Sequence, residues 1–316
     1  MNIRVSIIIV NYNSSKELFN CIKSIKRYSL DFTYEIIIVD NNSIDNFDFV
    51  KNYFKDVKYY RMTFNTGFAY ACNYGIKQSH GEFILLLNPD TMIKDNAILK
   101  LINFFNLFPN IGAVGPIFLN KHNKEYLPYS IFPNLLRQIC EVFYLKSILK
   151  IISRTKIQKE RLEQKKYFEV DWLAGACIMI KKRLLDTVQG LDEEYHLYYE
   201  DVDLCHKIIK NGFKVYCEPN ITIYHFGSRS IKNNYFQLIY QRYRSKLIYA
   251  KSYFSKMNIL LFRMIIIFGL IIRIVLTPLR YNISLNEKKT RISGYKSSLL
   301  LYLGLISLEN KFYDKI

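Results

Sequence analysis

The segment from Ile84 to Thr91, Ile-Leu-Leu-Leu-Asn-Pro-Asp-Thr, constrains the fold more than any other stretch. Phe83 to Leu87 are continuously apolar, the pattern of a strand buried on both faces, as in a parallel sheet covered by helices. Pro89 lacks a backbone N–H and stops the ladder. The chain therefore delivers the Asp90 carboxylate to the carboxyl edge of a central strand, the edge at which open α/β sheets bind ligands. Alone, the stretch would read as a Pro-containing turn with a solvated Asp. The neighbouring segments decide against that reading.

Val5 to Val10 is a β-branched run ending in Asn11-Tyr12-Asn13-Ser14-Ser15, after which Leu18, Cys21, Ile22 and Ile25 recur at helical spacing. Glu35 to Asp40 repeats the plan, with a buried strand, a terminal carboxylate and then Asn41-Asn42-Ser43. A third strand is expected around Val57 to Met62, before Asn65-Thr66-Gly67 and a helix through Asn73. Gly67 permits close backbone approach at a helix start, where free amide groups favour a phosphate. Strand and helix alternation predicts βαβ units in a parallel sheet, with Asn11, Asp40 and Asp90 at one edge. A helix from about Asp95 to Phe108, closed by Pro109, follows.

Beyond a short strand at Ile111 to Pro116, residues 121–166 are basic and aromatic. They read as an insertion with a helix after Pro133, on which Leu135, Leu136, Ile139, Val142 and Phe143 share a face. It either covers the site or touches a membrane. Globular sequence resumes at 170–226. Trp172 stands at the mouth of a strand entered through a bend at Gly175. Glu200, Asp201 and Asp203 follow Tyr198 and Tyr199, aromatics that lower the local dielectric. Acidic residues complement a helix start, and one carboxylate can face a site while another caps. Val215 to Cys217 is a late strand, and His225 follows it.

The formal charge of +18 is unevenly placed: residues 121–166 and 227–316 together hold 27 Lys and Arg against 7 Asp and Glu, the remainder 18 against 20. Basic residues interleaved with Phe, Tyr, Leu and Ile favour an anionic lipid surface over nucleic acid, none of whose recognition motifs is present. Ile259 to Leu276 is apolar except for Arg263 and Arg273, and these two with Lys256 fall within an arc of roughly 100° on a helical wheel. Two Arg within hydrocarbon are costly, so a helix lying in the membrane interface is expected rather than one crossing it. The alternative is an ordinary core-packing tail. A second apolar run, Leu299 to Leu308, is too short to span. The six cysteines show no C-x-x-C pair and read as reduced thiols of a cytosolic protein without a zinc site; the apolar run after Met1 is too short for a secretory leader.

In order, Val-Ser-Ile-Ile-Ile-Val-Asn-Tyr-Asn-Ser, Ile-Ile-Ile-Val-Asp-Asn-Asn-Ser, Asn-Thr-Gly-Phe-Ala, Leu-Leu-Asn-Pro-Asp, Trp-Leu-Ala-Gly-Ala, Tyr-Tyr-Glu-Asp-Val-Asp-Leu-Cys and His-Phe-Gly-Ser resemble glycosyltransferase family 2, most nearly its rhamnosyltransferase-like branch. The match covers residues 3 to about 230. It implies a GT-A fold, an α/β Rossmann-like domain with a mostly parallel central sheet and flanking helices, over residues 1–230. A basic amphipathic helical tail, 231–316, then contacts the membrane. It also implies inverting transfer from a nucleotide-diphosphate sugar, with dTDP-rhamnose as the best match, to a lipid-linked glycan at the inner face of the cell membrane. Self-association is left open.

Carried over by position, the resemblance makes Asp40, with Asn11 nearby, the reader of the nucleobase. Asn65, Gly67 and Asn73 line the ribose, diphosphate and sugar. Asn88-Pro89-Asp90 stands at the metal motif, with Asp90 and His225 as ligands to Mg²⁺ or Mn²⁺. Asp201 is the general base, Glu200 orients the acceptor or the base, and Trp172 and Gly175 shape the acceptor entrance. Departures are the neutral Asn88, Tyr70-Ala-Cys72 near the donor sugar, and Lys207 in place of a common Arg. Gln241 and Arg244 lack the Trp that follows them in processive synthases. A galactofuranosyl or hexosyl donor, or a non-catalytic nucleotide-sugar or glycan-binding subunit, are the alternatives.

Overall fold

The computed structural model describes residues 3–145, 156–227 and 234–309. The chain forms two compact units, residues 1–132, 154–193 and 200–230 in one, and 133–153, 194–199 and 231–316 in the other. The second unit thus takes two short segments from within the expected first domain as well as the tail.

In the first unit, β1 (Val5–Asn11), β2 (Tyr34–Asp40), β3 (Lys58–Arg61) and β4 (Phe83–Leu87) run parallel in the order β3-β2-β1-β4. Register sets Asn11 level with Asp40, and Asp40 level with Arg61. β5 (Thr91–Met92) follows β4 directly, and β6 (Ile111–Leu119) lies further across the sheet. Two short strands come next: β7 (Glu125–Tyr126) pairs with β6, and β8 (Tyr129–Ser130) pairs with β10 (Trp172–Leu173). β9 (Phe168–Glu169) pairs with β12 (Lys214–His225). β11 (Cys177–Lys181) is antiparallel to both β4 and β6, and β12 runs parallel to β6. Residues 121–132 and 156–166, expected as part of one insertion, are therefore sheet-flanking parts of this unit.

Alternation along the strands divides the core into two layers. Ile7 and Ile9 pack with Leu18, Ile22 and Leu101 on one face. Ile8 and Val10 pack with Ala69, Ile76 and Leu204 on the other. A strand buried on both faces needs this all-apolar run. β12 is much longer than the three residues expected, because a break in its register between Glu218 and Thr222 is absorbed locally. There Pro219 has no N–H to pair, and the Glu218 carboxylate accepts from the Asn220 backbone and side chain, both at 2.8 Å. His225 is consequently the last residue of the strand and not a loop residue after it. All six cysteines are free and buried.

The second unit packs helices Leu135–Val142, Tyr235–Tyr253, Lys256–Leu276 and Leu285–Leu303 around Tyr240, Leu247, Phe262, Ile266, Leu270 and Tyr302. Each helix is capped by Ser or Asn: Asn134, Asn234, Ser255 and Ser284 accept from the backbone N–H three residues on. Of the expected polar arc of Lys256–Leu276, Arg263 and Arg273 turn inward while Lys256 stays exposed. Arg263 Nε donates to the Tyr302 carbonyl at 2.9 Å, and Arg273 donates to the carbonyls of Gly269 at 3.0 Å and Glu141 at 3.1 Å. Arg244 donates to the carbonyls of Glu194 at 2.6 Å and Leu308 at 2.9 Å, which makes it a strut of this unit. On Leu135–Val142, Gln138, Cys140 and Val142 are buried, whereas Leu136, Ile139 and Phe143 are exposed.

Candidate active site

At the carboxyl edge of the parallel strands, Asn11 and Asp40 are fully buried and bonded to each other. Asn11 Nδ2 donates to Asp40 Oδ1 at 2.9 Å and to Ser43 Oγ at 3.0 Å, and the Ser43 amide donates to Asp40 Oδ2 at 3.2 Å. Arg61, ending β3, approaches from the other side, its Nε 3.5 Å from Asp40 Oδ2 and its Nη2 donating to the Ser43 carbonyl at 2.9 Å. This fixes a carboxylate and a guanidinium side by side, a polar pair able to read the edge of a base.

Gly67 opens the helix Phe68–Lys77 with φ of +89°, a conformation that favours glycine. Its N–H donates to Asn65 Oδ1 at 3.0 Å. Asn41 braces the turn: its Nδ2 donates to Asn65 Oδ1 (2.9 Å) and the Gly67 carbonyl (3.2 Å), and its Oδ1 accepts from the Thr66 amide (2.8 Å). Asn73, expected to line the sugar, is committed elsewhere. Its Nδ2 donates to the Leu191 carbonyl (2.8 Å) and Glu193 (2.9 Å), and its Oδ1 accepts from the Leu191 amide (3.0 Å). At Gly190, with φ of +67°, a Cβ would come within 2.6 Å of that Oδ1. Asn73 is thus a clasp holding the 190–193 loop.

Asp90 leaves β4 and is brought to His225 by β5, where Thr91 pairs with His225 and Met92 with Tyr224. The Phe226 amide donates to the Asp90 carbonyl at 3.0 Å. Asp90 is buried, yet neither carboxylate oxygen has a hydrogen-bond partner; His225 Nε2 lies 3.5 Å from Oδ1. The other ring nitrogen of His225 is hydrogen-bonded to the Tyr126 hydroxyl, which also donates to the His225 carbonyl at 3.0 Å. With the Tyr126 hydroxyl on Nδ1, Nε2 is left to point at Asp90. Buried, unbonded carboxylate oxygens are costly unless a ligand completes them. Oxygen donors with one imidazole suit a hard divalent cation. Among the described residues no group of three or more His, Cys, Asp or Glu gathers for a metal. Asp90 and His225 are the residues that would hold such an ion. Asn88 contributes mainly through its backbone, its carbonyl accepting from the Thr91 hydroxyl at 2.7 Å and its amide donating to the Ala176 carbonyl at 3.0 Å.

That last bond carries the second carboxylate to the same edge. Next to Ala176, the Gly175 N–H donates to Asp201 Oδ2 at 2.8 Å, while the Val202 amide donates to Asp201 Oδ1 at 2.8 Å. The neighbouring protein desolvates Asp201 and raises its carboxyl above the usual range, against the pull of those two amides. Glu200 is buried, and its Oε2 has no hydrogen-bond partner. Burial first, and the Asp201 charge second, push its carboxyl well above the usual range, so Glu200 holds its proton while Asp201 is the one to ionise. Trp172 is held by its Nε1, which donates to the Ile131 carbonyl at 2.9 Å. A glycine-opened helix start, a buried carboxylate beside an imidazole and a second, desolvated carboxylate thus lie along the carboxyl edge of one sheet. The family model for Glycosyl transferase family 2 matches residues 6–188. The chain belongs to that family.

Relatives of this glycosyltransferase include the N-acetylglucosaminyl-diphospho-decaprenol L-rhamnosyltransferase of Mycobacterium tuberculosis, 26% identical over 62% of this chain and 67% of that protein. The dTDP-rhamnosyl transferase of Shigella flexneri is 27% identical over 73% of this chain and 72% of that protein. Among solved structures, a mannosyltransferase from Pyrobaculum calidifontis in complex with GDP-Man and Mn²⁺ covers all of this chain and 89% of its own, with a TM-score of 0.54 at 14% identity. The fold is therefore GT-A. Sequence reasoning missed Asn41, Arg61 and Tyr126. The first two had a signal, since they stand beside Asp40 and at the end of an expected strand; Tyr126 had none, because a two-residue strand leaves no periodicity.

Proposed function

We propose that this glycosyltransferase moves rhamnose from dTDP-rhamnose to a lipid-linked glycan at the cytoplasmic face of the membrane, inverting the anomeric centre. The observation that carries the chemistry is the buried Asp90 carboxylate, unbonded at both oxygens beside His225, on the sheet edge that Asp201 reaches through Gly175. The rhamnosyl donor rests on the activities of the Mycobacterium and Shigella relatives, and the lipid acceptor on that of the Mycobacterium one. A Mn²⁺ in the solved mannosyltransferase supports a divalent ion here.

Asp40 and Asn11 hold the nucleobase end, with Arg61 and Asn41 keeping them in register. Asn65 and Gly67 take the ribose and diphosphate at the helix start. Asp90 and His225 would hold Mg²⁺ or Mn²⁺, which when bound would neutralise charge developing on the departing diphosphate. Asp201 accepts the acceptor hydroxyl's proton as its oxygen bonds to the anomeric carbon and the carbon–oxygen bond to the diphosphate breaks. The products are the extended glycan, a nucleoside diphosphate and a protonated Asp201. Glu200, kept neutral by burial, donates a hydrogen bond rather than competing for that proton. Trp172 and Gly175 form the acceptor entrance.

The test is donor turnover by the purified chain across dTDP-rhamnose, UDP-galactofuranose and UDP- and GDP-hexoses, with Mn²⁺ and a polyprenyl-diphosphate saccharide acceptor, beside Asp201→Asn. Turnover of dTDP-rhamnose alone, abolished in the variant, is expected. Turnover of a different donor corrects the sugar. Nucleotide binding with no turnover of any donor overturns the catalytic reading.

A further inference from the structure

The second unit turns its apolar side outward. On Lys256–Leu276, Met257 (65%), Met264 (51%), Phe268 (50%) and Val275 (62%) expose half or more of their surface, at the four- and seven-residue spacing of one helix face. Phe143, at the end of Leu135–Val142, joins this face with its ring centroid 5.8 Å from that of Phe268. A continuous apolar ridge of this length is far beyond what scattered surface residues give. Arg263 and Arg273 meanwhile bond to carbonyls inside the unit. The helix thus buries Phe262, Ile266 and Leu270 in its own unit, where its two arginines are also satisfied, and still exposes a second apolar face, which an ordinary surface helix does not.

We propose that this ridge lies in the plane of one leaflet of an anionic membrane, with a phospholipid headgroup seated at its C-terminal end. Charge complementarity selects the occupant. No Asp or Glu occurs between residues 227 and 286, while Lys256 and Arg280 stand exposed at the two ends of the ridge. Two copies packed ridge to ridge would stack like charges; an anionic leaflet neutralises them. At the C-terminal end a cavity of about 310 Å³ is lined by Tyr144, Arg273, Thr277, Arg280 and Tyr281. Arg273 is fixed there over the Tyr144 ring, 5.2 Å from its centroid. Guanidinium and hydroxyl groups at the rim of an apolar face suit a lipid phosphate.

The helix has 21 residues and is long and apolar enough to cross a bilayer by length and composition. It packs, however, in one unit with Tyr235–Tyr253 and Leu285–Leu303, which carry Arg242, Lys251, Lys289 and Lys296. A crossing would draw those cations into hydrocarbon, at a cost that in-plane seating avoids. This inference is separate from the transfer chemistry, since a catalytically dead chain would still bind.

The test is co-sedimentation of the full chain with phosphatidylcholine vesicles, with and without phosphatidylglycerol, at physiological salt. The wild type is expected to pellet with anionic vesicles. Met264→Glu with Phe268→Glu should weaken partitioning at least about tenfold with an unchanged thermal melt, because a charge is forced into the apolar region. Arg280→Ala should weaken it a few-fold, and only where phosphatidylglycerol is present. Leu30→Glu, an exposed apolar position in the other unit, should change nothing. Three outcomes overturn the proposal: no sedimentation with anionic vesicles, equal sedimentation of the double variant, or a vesicle-free dimer that the double variant dissociates. Resistance to alkaline carbonate extraction would show a crossing helix instead.

Discussion

The two units differ in the buried charge they leave without a hydrogen bond. Among the described residues of the helical unit the buried cations are answered: Lys246 Nζ bonds Glu141 at 2.6 Å and Gln138 at 2.8 Å, while Arg244 reaches two carbonyls. In the sheet unit, Asp90 and Glu200 keep carboxylate oxygens out of water with no hydrogen-bond partner. Paired buried charges hold a structure in one arrangement, whereas unpaired ones cost stability until a ligand or a proton arrives. The contrast separates charge that builds the protein from charge that works.

The largest effect expected is at Asp201. Asp201→Asn keeps the hydrogen bond from Gly175 but cannot take a proton, and should lower kcat about 10²- to 10⁴-fold in steady-state assays. In the wild type, kcat/KM should rise with pH through an acid limb above the ordinary carboxylate range, because Asp201 must be ionised and its pKa is raised.

Asp90→Asn sharpens the contrast through ligand linkage. With Mn²⁺ and nucleoside diphosphate at about a hundred times Kd, the wild type should gain about 2.7 kcal/mol in thermal or chemical denaturation. The variant should gain almost none, and without ligand it should be no less stable than the wild type, since it loses an unsatisfied charge.

Glu141→Gln tests the paired side. Removing that charge strands Lys246, and because Glu141 is 30% exposed the loss should be about 2 kcal/mol in urea unfolding, below the cost for a fully buried pair. Burial raises the Glu141 carboxyl, but the charges and hydrogen bonds of Lys246 and Arg137 together outweigh it and the net shift is downward. The pair's contribution is therefore present above the unfolded carboxylate pKa and fades as pH falls through the lower folded value.

Glu200→Gln should show the smallest effect and the opposite sign. The unfolded Glu ionises near 4.5 while the folded one keeps its proton, so the wild type loses stability as pH rises above that value toward the raised folded pKa. The variant should melt a few degrees higher at neutral pH, with the difference vanishing at pH near 4.

Much of the sheet unit is legible in the sequence because β1, β2 and β4 are uninterrupted apolar runs ending in Asn11, Asp40 and Asn88-Pro89-Asp90, and such runs leave few alternatives to a buried parallel strand. The meeting of Asp90 with His225 is not legible. It depends on a two-residue pairing at Thr91–Met92, and on a β12 extended across Pro219, neither of which has a period. The use of Asn73 as a clasp is also hidden, because its partners lie 118 and 120 residues away. In the helical unit, the arc of Lys256, Arg263 and Arg273 is visible as a pattern. The inward turn of Arg263 and Arg273 is not, since periodicity fixes which residues share a face but not what that face meets.

Asp90 and Asp201 are proposed to divide the work: Asp90 would hold a divalent ion that neutralises the departing diphosphate, and Asp201 would move a proton. Calorimetric titration of dTDP and UDP into the wild type, Asp90→Asn and Asp201→Asn, with and without Mn²⁺, tests this most directly. Mn²⁺ should tighten binding of one nucleotide in the wild type and in Asp201→Asn, and have no effect in Asp90→Asn. Tightening that survives in Asp90→Asn, or a wild type indifferent to Mn²⁺, would contradict it.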